Sequence, residues 1–148
     1  MSLDGNYLTD LSSHTKAVYD LALIGENFLA SSSGDMQVII WDLITKQVKF
    51  NLSGHTDIVY GLKLVNVTIL ASGSQDKTIR LWNVVTGQQV GILQGHTNTI
   101  YGSVDLFETN VLITGSWDKQ IKLWNINMKS EFKDLNTSYT IQSLAVLI

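Results

Sequence analysis

A histidine, a hydroxyl residue, an aspartate and a tryptophan recur in this chain as sets. They are His14, Ser31, Asp35 and Trp41; His55, Ser72, Asp76 and Trp82; and His96, Thr114, Asp118 and Trp124. Hydroxyl, imidazole and carboxylate are the parts of a hydrolase triad, in which the imidazole takes the hydroxyl proton and the carboxylate orients the ring. The number of sets argues against that chemistry. A catalytic site is needed once, and here the set occurs in every unit. Each set also includes a tryptophan, whose indole N–H needs a partner when buried. Metal binding fails on similar grounds. The three histidines are all the chain has, one per unit, and no two stand at i, i+4. There is no cysteine to supply a thiolate or a disulfide. No glycine-rich loop followed by Lys-Ser/Thr offers a phosphate cradle. The expectation is a chain without catalytic residues, metal or cofactor.

The elements that must position these residues show in a repeat. LASSSGDMQVIIWD starts at Leu29, LASGSQDKTIRLWN at Leu70 and LITGSWDKQIKLWN at Leu112. The histidines are 41 residues apart twice; the tryptophans are 41 and then 42 apart, so one residue is inserted between His96 and Asp118. Repeats of this length are sought first, because they decide the architecture. The units read as short strands. Val38 to Trp41 and Thr78 to Trp82 are rich in β-branched and aromatic residues, and Ile79 and Leu81 alternate with Thr78 and Arg80. Gly, Ser, Asp and Asn punctuate the runs at Ser33-Gly34-Asp35, Gly73 to Asp76, Thr86-Gly87 and Gly115 to Asp118. For the second unit the expected strands are 47–52, 58–64, 69–72 and 78–84.

Composition narrows the function classes. The 148 residues are 45% hydrophobic and 16% charged, a globular balance. A formal net charge of −3 gives no basic footprint for nucleic acid. The ten basic residues are scattered, with no cluster for anionic lipid. No stretch approaches the roughly 20 apolar residues of a membrane span, and the first ten residues lack a signal-peptide core. A cytoplasmic or nuclear location is expected. On that basis the glycosylation-type triplets at Asn51, Asn66 and Asn136 are chance matches.

A Gly-His pair, a Gly-Ser-x-Asp turn and a closing Trp-Asp or Trp-Asn, spaced by 40 to 45 residues, resemble the Trp-Asp (WD) repeat family. The likeness covers nearly the whole chain as a single region, with repeats at about 5–42, 46–83 and 87–125 and a partial unit at 130–148. Ser13-His14 stands in place of Gly-His, and the second and third units close in Trp82-Asn83 and Trp124-Asn125. The resemblance implies an all-β, partial β-propeller. It would have three complete four-stranded antiparallel blades, an N-terminal outer strand at 6–11 and a C-terminal inner strand at 141–148. It also implies that each His-hydroxyl-Asp-Trp set is a buried hydrogen-bonded relay that fixes its blade.

The family's rim positions lie three and five residues after the histidine and directly before the turn aspartate. Carried over, they are Ala17, Tyr19 and Gly34; Ile58, Tyr60 and Gln75; and Thr99, Tyr101 and Trp117. With Thr137 at the histidine position, Thr140 and Gln142 follow in the partial unit. Tyr19, Tyr60, Tyr101, Trp117 and Ile58 would form an arc suited to a protein or peptide ligand, because tyrosine and tryptophan dominate hot spots. The competing reading has the tyrosines packing between blades. Asp57, Lys63, Arg80, Lys119 and Lys122 are read as solvated or turn residues, and Asp105 as facing a wet channel. A propeller takes four to eight blades, so closure would require further blades of a longer chain or a second chain. The function implied is a non-enzymatic interaction scaffold or adaptor. The alternative is the sensor or substrate-recognition part of a larger enzyme complex, such as a ubiquitin ligase, kinase or NTPase.

Overall fold

The structure is a computed structural model that describes residues 10–101, 104–108 and 110–143. Among the described residues twelve strands form three separate four-stranded sheets. The first sheet holds β1 (Val18–Ile24), β2 (Phe28–Ser33), β3 (Val38–Asp42) and β4 (Gln47–Leu52). The second holds β5 (Val59–Leu64), β6 (Ile69–Ser74), β7 (Thr78–Asn83) and β8 (Gln89–Gln94). The third holds β9 (Val104–Glu108), β10 (Val111–Gly115), β11 (Gln120–Asn125) and β12 (Ser130–Asn136). Every pairing is antiparallel between sequence neighbours, so each sheet is a simple meander.

The sequence unit and the sheet are out of step by one strand. Residues 47–52, read above as the first strand of the second unit, pair with β3 and complete the first sheet. A repeat drawn from tryptophan to tryptophan therefore begins with the outer strand of the preceding sheet. The expected strand at 6–11 lies largely outside the described residues, as does 144–148 of the expected inner strand. Ile141 is described. Its N–H donates to the Ser116 carbonyl, as that of Ile100 donates to Ser74, so the chain enters the far side of the third sheet as it enters that of the second.

Turn chemistry explains why these residues end these strands. Met36, Lys77 and Lys119 follow the three turn aspartates with φ of 70°, 71° and 67°. The residue after each tryptophan is an Asx turn. Asp42 Oδ1 accepts from the Ile44 and Thr45 N–H groups, Asn83 Oδ1 from those of Val85 and Thr86, and Asn125 Oδ1 from that of Met128. Only the Oδ1 acceptor is used, so Asp and Asn serve equally.

Two apolar cores lie in the seams between sheets. Ile24, Ala30, Val38, Ile40 and Leu52 of the first sheet pack on Val59, Leu62, Leu70, Trp82 and Val84. Ala71, Ile79, Leu81 and Leu93 of the second pack with Ile100, Leu112, Trp124 and Ile126. The alternation along each strand sends one set of side chains to each neighbouring sheet. Val18 and Leu21 match Val59 and Leu62 in register, yet are exposed where those are buried.

The inserted residue of the third unit can be placed. Leu106 pairs with Leu112 as Leu64 pairs with Leu70, so the extra residue falls between Tyr101 and Val104, outside the described residues.

Candidate protein-binding face

The structure brings each His-hydroxyl-Asp-Trp set together as one chain of hydrogen bonds. His14 Nδ1 lies 2.9 Å from Asp35 Oδ2 and its Nε2 2.7 Å from Ser31 Oγ, which is 2.8 Å from Trp41 Nε1. In the second sheet the distances are 2.7 Å for His55–Asp76, 2.8 Å for His55–Ser72 and 2.8 Å for Trp82–Ser72. In the third, His96–Asp118, His96–Thr114 and Trp124–Thr114 are all 2.8 Å. Counting protons fixes the roles. The indole can only donate, so the hydroxyl accepts from it and spends its single proton on Nε2. The imidazole is then neutral and donates from Nδ1 to the carboxylate.

The aspartates do more than hold histidine. Asp35 accepts the backbone N–H groups of Thr15 and Gln37, Asp76 those of Thr56 and Thr78, and Asp118 those of Thr97 and Gln120. Burial acts to raise each of these carboxyls. The backbone donors and the histidines outweigh it, and all three end below their usual range. Burial likewise pushes the His96 ring below its ordinary value, against the pull of Asp118.

A fifth member of each set escaped the sequence reading. Ser33, Ser74 and Ser116 each accept the N–H of the turn aspartate two residues on. Their hydroxyls donate to the backbone carbonyls of Lys16, Asp57 or Ile58, and Asn98. The signal was available, since the three serines align in the repeat.

The rim positions also meet. The N–H of Gly34 donates to the Ala17 carbonyl, that of Gln75 to Ile58, and that of Trp117 to Thr99. Above these clasps the aromatic side chains touch in series. Tyr19 and Tyr60 have ring centroids 4.8 Å apart and meet edge to face. Tyr60 and Tyr101 are 4.3 Å apart, and Tyr101 stacks on Trp117 at 5.7 Å. Tyr19 and Tyr60 stand where the register of β1 against β2 and of β5 against β6 shifts, a bulge that re-aims the side chain. The Tyr60 hydroxyl donates to Gln75 Oε1 at 3.1 Å. Burial, then the neighbouring tyrosines and Asp57, push the Tyr60 phenol up. The ladder is open at its ends, with Tyr19 45% and Trp117 40% exposed. Ile58 and Gln75 are half-buried, and Thr99 is buried beneath the ladder. Packing between sheets and an arc on one face are thus one arrangement. Thr140 and Gln142 lie beyond it, both exposed.

The charged residues divide. Asp57 Oδ1 accepts the Ile58 N–H, and Lys119 sits in its turn. Lys122 is no solvated residue: it is 5% exposed and pairs with Glu131 through two 3.0 Å contacts. Arg80, in the same register, donates to Gln89. Asp105, expected to face a wet channel, forms an ion pair with Lys63 of the preceding sheet at 2.5 Å. Asp20 adds a further tie, its Oδ2 accepting the Leu62 N–H. Among the described residues no group of three His, Asp or Glu side chains could hold a metal ion.

The pattern of the family described as "WD domain, G-beta repeat" matches residues 5–42, 46–83 and 87–125, well over half the chain. The chain belongs to the WD-repeat family. Its three sheets are propeller blades, and together they form part of a β-propeller. No curated protein matches the sequence. Among solved structures, the WD40 β-propeller domain of Doa1 is similar at 23% identity with a TM-score of 0.81. The alignment covers 90% of this chain and 45% of that one, so the chain spans less than half of the Doa1 domain. U3-55K aligns at 19% identity and a TM-score of 0.84, covering 90% and 43%. The computationally designed Ika4 protein aligns at 28% identity and a TM-score of 0.87, covering 97% of this chain and 88% of that one. WD-repeat propellers generally serve as protein-interaction scaffolds.

Proposed function

We propose that this WD-repeat chain is a non-enzymatic scaffold that binds a protein or peptide on its rim face, through the ladder of Tyr19, Tyr60, Tyr101 and Trp117. The observation that carries the reading is the continuity of that ladder. Four aromatic rings from three blades touch in sequence and keep their outer members exposed. Rigid aromatic side chains contribute contact area at little cost in entropy, and such residues supply most of the affinity of protein interfaces. The relays beneath are fully engaged in holding the blades, so they leave no free nucleophile. The test compares capture from cell extract by the wild-type chain and by Tyr60→Ala and Trp117→Ala chains. Loss of specific partners at an unchanged melting temperature supports the reading. An unchanged partner set removes this face from consideration.

A further inference from the structure

At the end of the first seam opposite the rim, the core between the first and second blades does not close. Ile24, Phe28, Leu64 and Val84 floor a groove of about 420 Å³. Val67 and Val85 wall it, and they are 85% and 62% exposed.

The second seam carries a side chain that the first lacks. There Lys129 reaches the Val90 carbonyl, and its aliphatic chain lies over Gly91. The register equivalents in the first seam are Gly87 for Lys129, Lys49 for Val90 and Phe50 for Gly91. Gly87 has no side chain to lay across, and the Phe50 ring fills the space against it. Lys49 instead lies at the end of the groove, its ammonium 3.6 Å from the Phe28 ring centroid and 5.7 Å from that of Phe50. Ring faces attract a cation and hold it in place. Lys49 is the one charged residue in the lining. Among the described residues no carboxylate lies within ion-pair distance of Lys49, and Asp42 feels its charge from further off.

An apolar groove of this size with a single placed charge is the usual make-up of a site that fixes both affinity and orientation. We propose that it binds an extended peptide, with a leucine-sized side chain on the floor and the carboxylate of an adjacent Asp or Glu side chain on Lys49. Charge complementarity selects the acid, and the exposed valines supply the apolar contact on either side. The site lies at the other end of the blades from the aromatic ladder and does not rest on the rim reading.

The test titrates the isotope-labelled full chain with acetyl-Gly-Gly-Leu-Glu-Gly-Gly-amide and follows backbone amide shifts. Shifts are expected at Ile24, Val67 and Val85 and not at Tyr60 or Trp117. Replacing the peptide leucine by serine weakens binding about tenfold. Replacing its glutamate by glutamine weakens binding about threefold to the wild type and not at all to Lys49→Gln, whose substitution is at an exposed position and lowers the melting temperature by only a few degrees. The proposal is overturned if no groove amide shifts at several millimolar peptide. It is also overturned if the glutamate and Lys49 effects are independent, or if a glutamine peptide with a free terminal carboxylate binds better than the amidated acidic one.

Discussion

The Trp82 indole donates to the Ser72 hydroxyl at 2.8 Å, and that hydroxyl has one proton left, which it gives to His55. Ser72 is therefore the pivot of its relay, serving one donor and one acceptor with a single oxygen. Ser72→Ala strands both the indole N–H and the imidazole Nε2 in a buried site. A loss of about 1–3 kcal/mol for each unpaired group is expected, read by denaturant unfolding. Ser72→Thr is expected to cost less than Ser72→Ala, because Thr114 fills the same role in the third blade. Trp82→Phe should destabilise without altering rim binding. Equal costs for the alanine and threonine variants would contradict the relay.

Acid should destabilise the chain over two pH windows. The His96 ring, held by burial below its ordinary value of about 6.5, takes up its proton less readily than the unfolded chain does. Stability attached to it is present above pH 6.5 and is lost as pH falls below that. Protonation would also turn Nε2 into a donor and leave the Thr114 hydroxyl proton without an acceptor. The Asp35, Asp76 and Asp118 carboxyls lie below their ordinary 3.8, so their contribution is present above pH 3.8 and lost below it. Thermal melts between pH 8 and pH 2 should fall gently at first and steeply below pH 4. A melting temperature flat down to pH 4 would exclude the His96 contribution.

The buried Lys122–Glu131 pair should be dispensable if both partners go. At the same registers the first blade has Ile39, which is buried, and Val48. The double variant Lys122→Ile with Glu131→Val is expected to be neutral or more stable by about 1–4 kcal/mol, since removing a buried ion pair also removes its desolvation cost. Glu131→Val alone leaves the lysine buried with Asp134 at 3.9 Å. It should cost about 2 kcal/mol, less than the 3–5 of a fully enclosed pair. Denaturant midpoints of the three chains check this.

What could be read in the sequence follows the repeat. Trp41, Trp82 and Trp124 keep one register, and each marks a strand that lies third in its sheet. Recurrence of the His-hydroxyl-Asp-Trp set in every unit spoke against a single catalytic site, and the family resemblance implied the relay that joins its members. Lys122 was not legible. Its neighbours in the repeat are Ile39 and Arg80, so the position has no single chemical character, and its burial depends on Glu131 across the strand pair. Asp20 and Asp105 were missed for another reason. Their partners, the Leu62 amide and Lys63, belong to adjacent blades, and the curvature that brings blades together is not written in the period of a strand. The Lys49 groove depends on the difference between two seams, a comparison open only once the sheets are placed.

Gly87 tests the first seam directly. Its φ of +73° is the lesser obstacle, because Lys46 and Lys129 hold the same turn position at 59° and 53° with full side chains. The greater obstacle is the Phe50 ring, which would stand 2.7 Å from a Cβ. Gly87→Ala should therefore cost about 1–3 kcal/mol through overpacking. In a Phe50→Ala background, which removes the ring, adding Gly87→Ala should cost only the left-handed backbone strain, about 1 kcal/mol. The coupling between the two sites is the measurement, since contacting residues depart from additivity by about 0.5–3 kcal/mol. Additive costs would mean that backbone strain, and not the ring, keeps glycine at this turn.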